Sequence, residues 1–190
     1  MILTGGTSRR FGSDKSQAKF GENSLIENLL TTLPPEMGIV IVGPRLPQNS
    51  RDVRYIQESP LGGGPVAAID AGLELIESEY VAIIATDMPF ASQILDVLIR
   101  NYPDSEDATI VLDSEGVRQP LCALYRVESL RKALTKLGNS QGQSMRNLTE
   151  ILSVKELHLE PALARILLDI DTPADLDQAI SLSKELNNEK

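Results

Sequence analysis

The first fifteen residues combine glycines with cations in a spacing suited to holding an anion. Gly5 and Gly6 let backbone N–H groups approach a ligand closely. Arg10 can grip a phosphate with two parallel hydrogen bonds, and Lys15 adds a compact point charge. The formal net charge of the chain is −9, yet residues 1–20 hold four basic residues and one acidic residue. This local positive charge on a glycine loop predicts a polyphosphate ligand.

The loop differs from the Walker phosphate motif. That motif needs glycine directly before its lysine and five residues earlier, where this chain has Asp14 and Arg9. The segment instead resembles the motif Leu-x-Gly-Gly-x-Ser-x-Arg-Phe/Met-Gly-x-Asp-Lys of the MobA-like nucleotidyltransferases, which attach a nucleotide to molybdopterin. The alternative is a glycine-rich surface loop whose charges are solvated.

Asp87 follows a strongly apolar segment, residues 80–85, and precedes Met88-Pro89. A hard carboxylate at the end of a strand suits Mg²⁺, which fills its other positions with water and phosphate oxygens. The alternative is an aspartate that only opens the turn before the next helix. The sequence from Thr86 to Phe90 resembles the metal-binding segment of the same family, which implies that Asp87 binds the metal.

Glu58 begins a glycine- and proline-rich stretch, residues 58–65, that follows another predicted strand. At this place the family has an acidic residue, usually aspartate, before a similar loop and a helix. The resemblance therefore assigns Glu58 to the base or ribose of the nucleotide. On structural grounds alone the three glycines could form only a tight turn.

The same stretch nearly matches the dinucleotide-binding fingerprint. Gly62-x-Gly64-x-x-Ala67 follows a strand and opens a helix, and an acidic residue, Asp87, lies 25 residues beyond Gly62. Four residues separate the strand from the first glycine, however, and Pro65 stiffens the turn. The fingerprint also leaves the basic N-terminal loop unexplained, so we prefer the nucleotidyltransferase interpretation.

Three further residues are assigned only by resemblance to the family. Gln119 lies in a Gln-Pro-Leu-x-Ala-Leu-Tyr segment that the family places toward the acceptor, and Arg146 lies at a helix start that could hold the acceptor's phosphate. An ordinary helix start with a solvated arginine is the alternative. Asp171 stands where the family has asparagine. It is either a second metal carboxylate beside Asp87 or only a cap of the following helix.

Apolar and β-branched segments alternate with helical patterns along the chain. Strands are predicted at 39–42, 53–57, 80–85, 108–112, 120–125, 154–159 and 166–170. A capping box formed by Ser24 and Glu27 predicts a helix that stops at the prolines at 34–35. Further helices are predicted at 65–77, 91–102 and 127–137, the last of which ends at Gly138, and a final helix is capped by Thr172. The alternation predicts an α/β fold with a doubly wound sheet whose ligands bind at the carboxyl ends of the strands. Only four residues precede Gly5, so we expect residues upstream of Met1 to complete the first strand.

Composition excludes several other classes of function. One cysteine and one histidine cannot build a zinc site. The lone Cys122 fits a reducing cytoplasm, and its position in an apolar run predicts a small core residue rather than a nucleophile. Acidity without a basic tract argues against a nucleic-acid partner, and the longest apolar run, 81–85, is too short to cross a bilayer. We expect one nucleotidyltransferase domain, residues 1–190, in the cytoplasm.

The resemblance spans nearly the whole chain and carries specific implications. It implies the Rossmann-like three-layer α/β/α fold of nucleotide-diphospho-sugar transferases, with a mostly parallel sheet. It also implies transfer of GMP from GTP to molybdopterin or its molybdenum form, Mg²⁺ as cofactor, and transient contact with enzymes that receive the finished cofactor. The residues that it implies for the nucleotide are Leu3, Thr4, Gly5, Gly6, Lys15, Glu58 and Asp87, with Arg10 and Lys15 as the catalytic cations.

Two alternatives stay open. A sister enzyme could use CTP or another small phosphorylated acceptor with the same loop and metal site. A catalytically silent nucleotide-binding module would explain the short first strand and the aspartates that replace family asparagines at positions 169 and 171.

Overall fold

A seven-stranded sheet organises the chain, whose computed structural model describes residues 1–4, 17–46, 51–102 and 104–188. In chain order its strands are β1 (Ile2–Leu3), β4 (Ile39–Val42), β5 (Val53–Ile56), β6 (Tyr80–Ala85), β7 (Ala108–Leu112), β8 (Arg118–Arg126) and β9 (Val154–His158). The strands β2 (Lys19–Phe20) and β3 (Asn23–Ser24) form a separate antiparallel pair.

The spatial order of the sheet is β5-β4-β1-β6-β8-β7-β9. Its pairs are parallel except those of β8, which runs antiparallel to both β6 and β7. Strands β4 and β7 are buried along their whole length, because helices cover both faces of the sheet. The carboxyl ends of the parallel strands and the beginning of β8 therefore share one edge.

Seven helices of the described chain cover the sheet: α1 (Leu25–Thr32), α2 (Pro65–Leu73), α3 (Ala91–Arg100), α4 (Val127–Leu137), α5 (Met145–Thr149), α6 (Pro161–Ala164) and α7 (Pro173–Asn188). Helices α1, α3 and α7 contribute apolar side chains to the core on one face. Helices α2, α4 and α5 contribute to the core on the other face. These are the three layers that the sequence predicted.

Local sequence signals explain where several helices begin and end. The Ser24 hydroxyl accepts from the Glu27 amide while the Glu27 carboxylate accepts from the Ser24 amide, which completes the predicted capping box of α1. Helix α4 ends at Gly138, whose φ of +76° favours glycine. Thr172 caps α7 in the same reciprocal manner with Asp175.

The predicted strand at 166–170 is wrong. Helix α6 ends in turns in which Ile166 and Leu167 donate to backbone carbonyls three residues back. Ile166 and Ile170 are buried in the core, whereas the Ile170 amide donates to the carbonyl of Asp87 instead of to a strand. The apolar residues of this segment therefore pack in the core, but the segment does not pair with the sheet as a strand. The β2–β3 hairpin was not predicted.

The first strand is short but central. Residues Ile2 and Leu3 pair with β4 on one side and β6 on the other. The Met1 amino group donates to the carbonyl of Ala82 at 2.8 Å.

Within the described ranges, no helix has the length and apolarity needed to cross a membrane.

Candidate active site

Four neighbouring strands deliver the candidate residues to the carboxyl edge of the sheet. Glu58 follows β5, Gly43 follows β4, Thr4 follows β1, and Asp87 follows β6. Adjacent strands lie about 4.8 Å apart, so the line from β5 to β6 spans about 14 Å. An elongated ligand can therefore contact both Glu58 and Asp87 while it crosses the end of β1.

The end of β1 is held tightly against both neighbours. The Thr4 amide and the Thr4 hydroxyl each donate to the Val42 carbonyl at 3.0 Å. On the other side, the buried Thr86 hydroxyl donates to the Leu3 carbonyl at 2.8 Å. A Cβ at Gly43 would overlap the Thr4 hydroxyl oxygen, so glycine is required there. The glycine-rich loop after Thr4 thus starts from a fixed point between β4 and β6.

The predicted catalytic and phosphate-binding residues of that loop, Gly5, Gly6, Arg10 and Lys15, lie outside the described residues. Their assignment remains a prediction from the sequence. The described residues Leu3 and Thr4 lie at the carboxyl end of β1, between β4 and β6, and their assignment to the nucleotide stays a prediction.

The segment that carries Asp87 is fixed from two directions. The Asp87 carbonyl accepts from the Ile170 amide at 3.0 Å. Two residues later, the Pro89 carbonyl accepts from the Asn28 side-chain amide of α1 at 2.9 Å. Asp87 itself is half-buried. Its carboxylate therefore projects from a backbone whose position is set by both α1 and the segment before α7.

The bond from Ile170 also brings two further aspartates to this part of the edge. Asp169 and Asp171 flank Ile170 and are both exposed. The Asp171 amide donates to the Asp175 carboxylate at 3.0 Å, within the turn that Thr172 caps. Thr172 therefore supplies a side-chain cap of α7.

Asp169 lies close enough to β8 to act on Cys122. Burial, with a further contribution from the Asp169 carboxylate, raises the pKa of the Cys122 thiol to about 12. The thiol is fully buried, as the sequence predicted. Cys122 is therefore a packed core residue that stays protonated, and Asp169 adds negative charge to the same region as Asp87.

This donor set fits Mg²⁺. The acidic side chains near the end of β6 offer carboxylate oxygens, which hard cations prefer. Among the residues that the structure describes, no three His, Cys, Asp or Glu side chains are grouped to hold a metal by themselves. Magnesium commonly uses one or two protein carboxylates and takes its other ligands from water and phosphate, so the sparse arrangement is compatible with it.

The Glu58 loop has a defined internal structure. The Glu58 carboxylate accepts from the Gly62 amide at 3.2 Å. Gly62 and Gly64 have φ values of +77° and +89°, and Pro65 then starts α2. A Cβ at Gly63 would lie 2.7 Å from that of Ala67, so this position also requires glycine. The loop is a preformed turn that leads into a helix.

A second loop, around Gly142, contacts and supports the Glu58 loop. The Gly142 amide donates to the Gly63 carbonyl at 2.8 Å. The segment around Gly142 leads to α5, which Ser144 caps and on which Arg146 lies. Arg146 pairs with Glu150 at 2.8 Å and its side chain is 85% exposed. The structure thus joins the Glu58 loop to the segment before Arg146.

The other acceptor candidate, Gln119, lies in the middle of the sheet edge. Strand β8 pairs Cys122 with Ile84 of β6. The pairing with β6 ends at Cys122, because residues 120–122 are displaced where the pairing with β7 shifts from Ala123 opposite Ile110 to Gln119 opposite Val111. Gln119 therefore lies near the beginning of β8, on the same edge of the sheet as Asp87. Its side chain donates to Asp113 at 2.8 Å. Gln119 and Arg146 lie on different elements, β8 and α5.

Sequence reasoning assigned no individual role to several residues that build this edge. These are Asn28, Gly43, Thr86, Asp113 and Asp169. A glycine directly after the buried strand β4 was a usable signal, because strand ends that approach a neighbour closely favour glycine. The side-chain bonds of Asn28 and Thr86 reach 61 and 83 residues along the chain, and no local pattern reveals them.

Comparison with known proteins bears on both sequence and fold. Residues 1–158 match the family of MobA-like NTP transferase domains. A Bacillus cereus protein named probable molybdenum cofactor guanylyltransferase is 27% identical over 198 residues, which covers 100% of this chain and 97% of the relative.

Solved structures give the same architecture. Molybdopterin-guanine dinucleotide biosynthesis protein A from Archaeoglobus fulgidus superposes with a TM-score of 0.75 at 24% identity, over 97% of each chain. The 2-C-methyl-D-erythritol 4-phosphate cytidylyltransferase from Thermus thermophilus has a TM-score of 0.70 at 15% identity, over 96% of this chain and 97% of its own. These similarities confirm the predicted fold class, a mostly parallel α/β/α sheet of the nucleotide-diphospho-sugar transferase type.

Proposed function

Because this chain belongs to the family of MobA-like NTP transferase domains and is a nucleotidyltransferase, we propose that it transfers GMP from GTP to the terminal phosphate of molybdopterin or its molybdenum form. The products are the guanine dinucleotide cofactor and pyrophosphate. The observation that carries this proposal is the alignment of Glu58, Thr4 and Asp87 along one sheet edge. In this proposal Glu58 serves the base or ribose, the loop after Thr4 serves the triphosphate, and Asp87 serves the metal.

The nucleotide would lie across the ends of β5, β4, β1 and β6. Its base or ribose contacts the Glu58 loop, which is preformed by the bond from the Gly62 amide. Its phosphates meet the glycine loop that begins after Thr4. We assign Gly5 and Gly6 to backbone contacts with the triphosphate, and Arg10 and Lys15 to the charge that builds on the leaving pyrophosphate.

Asp87 and Asp171 are the residues that would hold Mg²⁺. Bound there, the ion neutralises phosphate oxygens and helps to orient them. The assignment of Asp87 is supported by its fixed backbone, which is held by the bond to Ile170 and by the Asn28 contact at Pro89. Asp171 reaches the same part of the edge because it directly follows Ile170.

The reaction needs little covalent chemistry from the protein. An oxygen of the acceptor's phosphate forms a bond to the α-phosphorus of GTP, and the bond from that phosphorus to the β-phosphate bridging oxygen breaks. Pyrophosphate leaves with the electron pair. The attacking phosphate is already anionic, so no general base is required. The residues of this chain act by position and charge, with Gln119 and Arg146 assigned to the acceptor.

A sister activity with another substrate is the second candidate. The Thermus thermophilus cytidylyltransferase shares the fold at a TM-score of 0.70. The same edge could therefore serve CTP or another small phosphorylated acceptor. We keep residues 1–190 as one domain, a cytoplasmic location and transient contact with cofactor-receiving enzymes as parts of the proposal.

Release of pyrophosphate tests the proposal directly. The purified protein is mixed with Mg²⁺, molybdopterin and each of the four nucleoside triphosphates in turn. We expect release with GTP and dependence on molybdopterin. Preference for CTP would favour the sister activity, and no release with any triphosphate would refute the proposal.

Variants at one carboxylate locate the metal. Asp87→Asn should raise the Mg²⁺ concentration needed for half-maximal rate and lower the rate itself, because an amide binds the ion less well than a carboxylate does. Asp96→Asn is the matched control, since Asp96 is an exposed aspartate in the middle of α3. Identical magnesium curves for the parent and Asp87→Asn would place the metal elsewhere.

A further inference from the structure

The turn between β7 and β8 is organised by one carboxylate. Oδ1 of Asp113 accepts from the amides of Glu115 and Val117 at 2.9 and 2.8 Å. Oδ2 of the same residue accepts from Nε2 of Gln119 at 2.8 Å. Gly116, with a φ of +77°, allows the chain to turn between them. Asp113 therefore links the hairpin backbone to a side chain of the candidate site.

The protonation state of Asp113 follows from these bonds. The hydrogen bond from the Val117 amide, with further ones from Glu115 and Gln119, holds the pKa of the Asp113 carboxyl below its usual value against an opposing effect of burial. Near neutral pH the group is an ionised carboxylate, which only accepts hydrogen bonds. Gln119 must therefore present its NH₂ group to Asp113.

This requirement fixes the orientation of the Gln119 amide. The carbonyl Oε1 lies on the opposite side of the amide group from the NH₂, so it is directed away from Asp113. The pairing between β7 and β8 shifts its register between Ile110 and Val111, and the Tyr125 hydroxyl donates to the Pro120 carbonyl at 2.7 Å within the displaced segment. Gln119 is thus half-buried near the beginning of β8, on the same edge of the sheet as Asp87, with its side-chain carbonyl directed away from Asp113.

We propose that Asp113 is a positioning residue that fixes the side-chain carbonyl of Gln119 to accept a hydrogen bond from the acceptor substrate. The class of ligand follows from the chemistry of that oxygen. It is a phosphorylated small molecule that carries N–H donors, such as the amino and ring N–H groups of a pterin. This inference rests on the proposed function, because that function brings the acceptor beside Asp87.

The substitution Asp113→Asn tests the orientation with almost no change of shape. The Asn carbonyl can still accept from the Glu115 and Val117 amides, while its NH₂ group then faces Gln119. Gln119 must turn its carbonyl toward the new NH₂ group and present its own NH₂ to the acceptor. We expect KM for molybdopterin to rise by about ten-fold, the size of one lost hydrogen bond. KM for GTP and kcat should stay within about two-fold of the parent values.

A second variant separates positioning from simple loss of structure. In the double variant Asp113→Asn, Gln119→Glu, the carboxylate at position 119 accepts from the Asn NH₂ group and offers its other oxygen to the acceptor. The net charge of the pair equals that of the parent. We expect KM for molybdopterin to return toward the parent value. Glu115→Gln, in the same exposed turn, is the control, because only the backbone of Glu115 contacts Asp113.

The outcomes distinguish the inference from the function on which it rests. Unchanged KM for molybdopterin in Asp113→Asn, or an equal rise in KM for GTP, overturns the positioning role. Failure of the double variant to recover, with all variants equally stable in urea, also overturns it. Absence of pyrophosphate release by the parent with GTP and molybdopterin overturns the proposed function itself.

Discussion

Gly43 should be a position where one added methyl group weakens both the sheet and the site. Its φ of +141° is rare for residues with a side chain, and a Cβ there would overlap the Thr4 hydroxyl oxygen. That hydroxyl donates to the Val42 carbonyl at 3.0 Å. Gly43→Ala therefore strains the backbone of the residue after β4 and displaces Thr4 at the end of β1.

Two terms give the expected size of the effect. A residue held in a sparsely populated backbone conformation costs about 1–3 kcal/mol, and the loss of the Thr4 hydrogen bond costs about 1 kcal/mol. Gly43→Ala should thus lower the free energy of unfolding by about 2–4 kcal/mol. Gly116→Ala should cost only about 1–2 kcal/mol, because Gly116 also has a positive φ, +77°, but open space around its Cβ position.

A double-mutant cycle measured by urea unfolding isolates the steric overlap between the added methyl group at position 43 and the Thr4 hydroxyl. In the Thr4→Ala background no hydroxyl remains to be displaced, so Gly43→Ala should cost about 1 kcal/mol less than it does in the parent. The same cost in both backgrounds would refute the argument about Thr4. A cost for Gly116→Ala as large as that for Gly43→Ala would show that backbone strain alone accounts for the loss.

Four other outcomes follow from the structure and the proposed function. Cys122 should resist alkylation at mildly alkaline pH until urea unfolds the protein, because it is buried and its pKa is raised to about 12; rapid labelling of the native protein would contradict this. Hydrogen bonds from the Ser24 amide and hydroxyl lower the pKa of Glu27 below 4.5, so its stabilising contribution is full above that value and is lost as the pH falls through the folded pKa. Urea unfolding of Glu27→Gln should therefore depend less on acid pH than that of the parent, and equal dependence would count against the cap. Lys15→Ala should slow pyrophosphate release by about 10²–10³-fold while the circular dichroism spectrum stays unchanged, and an unaltered rate would remove Lys15 from the phosphate site. Asp171→Asn should bind GTP more weakly with Mg²⁺ and more tightly without it in calorimetric titrations, whereas four equal affinities would exclude Asp171 as a metal ligand.

The elements with local sequence signals were predictable. The strands at 39–42, 80–85 and 108–112 are confirmed at their predicted bounds, because each is a run of apolar and β-branched residues flanked by polar or turn residues. The capping box of Ser24 and Glu27 and the end of α4 at Gly138 are confirmed for the same reason. Each of these signals depends on neighbours within a few residues.

The errors arose where distant contacts decide the structure. The segment 166–170 has the sequence pattern of a strand. In the structure, however, the Ile170 amide donates a hydrogen bond to the carbonyl of Asp87, which lies 83 residues earlier in the chain. Helix α2 stops at Leu73, although a helical pattern continues toward position 77, because turns follow in which Leu75 and Ile76 donate to carbonyls only three residues back. The β2–β3 hairpin has two residues per strand, too few for an alternating pattern.

The candidate site shows the same division. The sequence shows that Glu58 and Asp87 each follow a predicted strand, and the structure has both residues at the carboxyl edge of the sheet. The support of Asp87 by Asn28 and Ile170 could not be predicted, since it depends on the three-dimensional position of α1 and of the segment before α7. The assigned roles of Gln119, Arg146 and Asp171 stay predictions.

The central position of β1 sets an order of events during synthesis on the ribosome. Leu3 needs Thr86 as a hydrogen-bonding partner, and these two residues are 83 positions apart. At a translation rate of about 5–20 residues per second, the edge of β1 that faces β6 waits roughly 4–17 s for its partner. Until then the strand that leads into the glycine-rich loop is paired on one side at most, and the carboxylate of Asp87 has not been made. A ligand that needs both the end of β1 and Asp87 can therefore assist folding only after nearly half of the chain has been made.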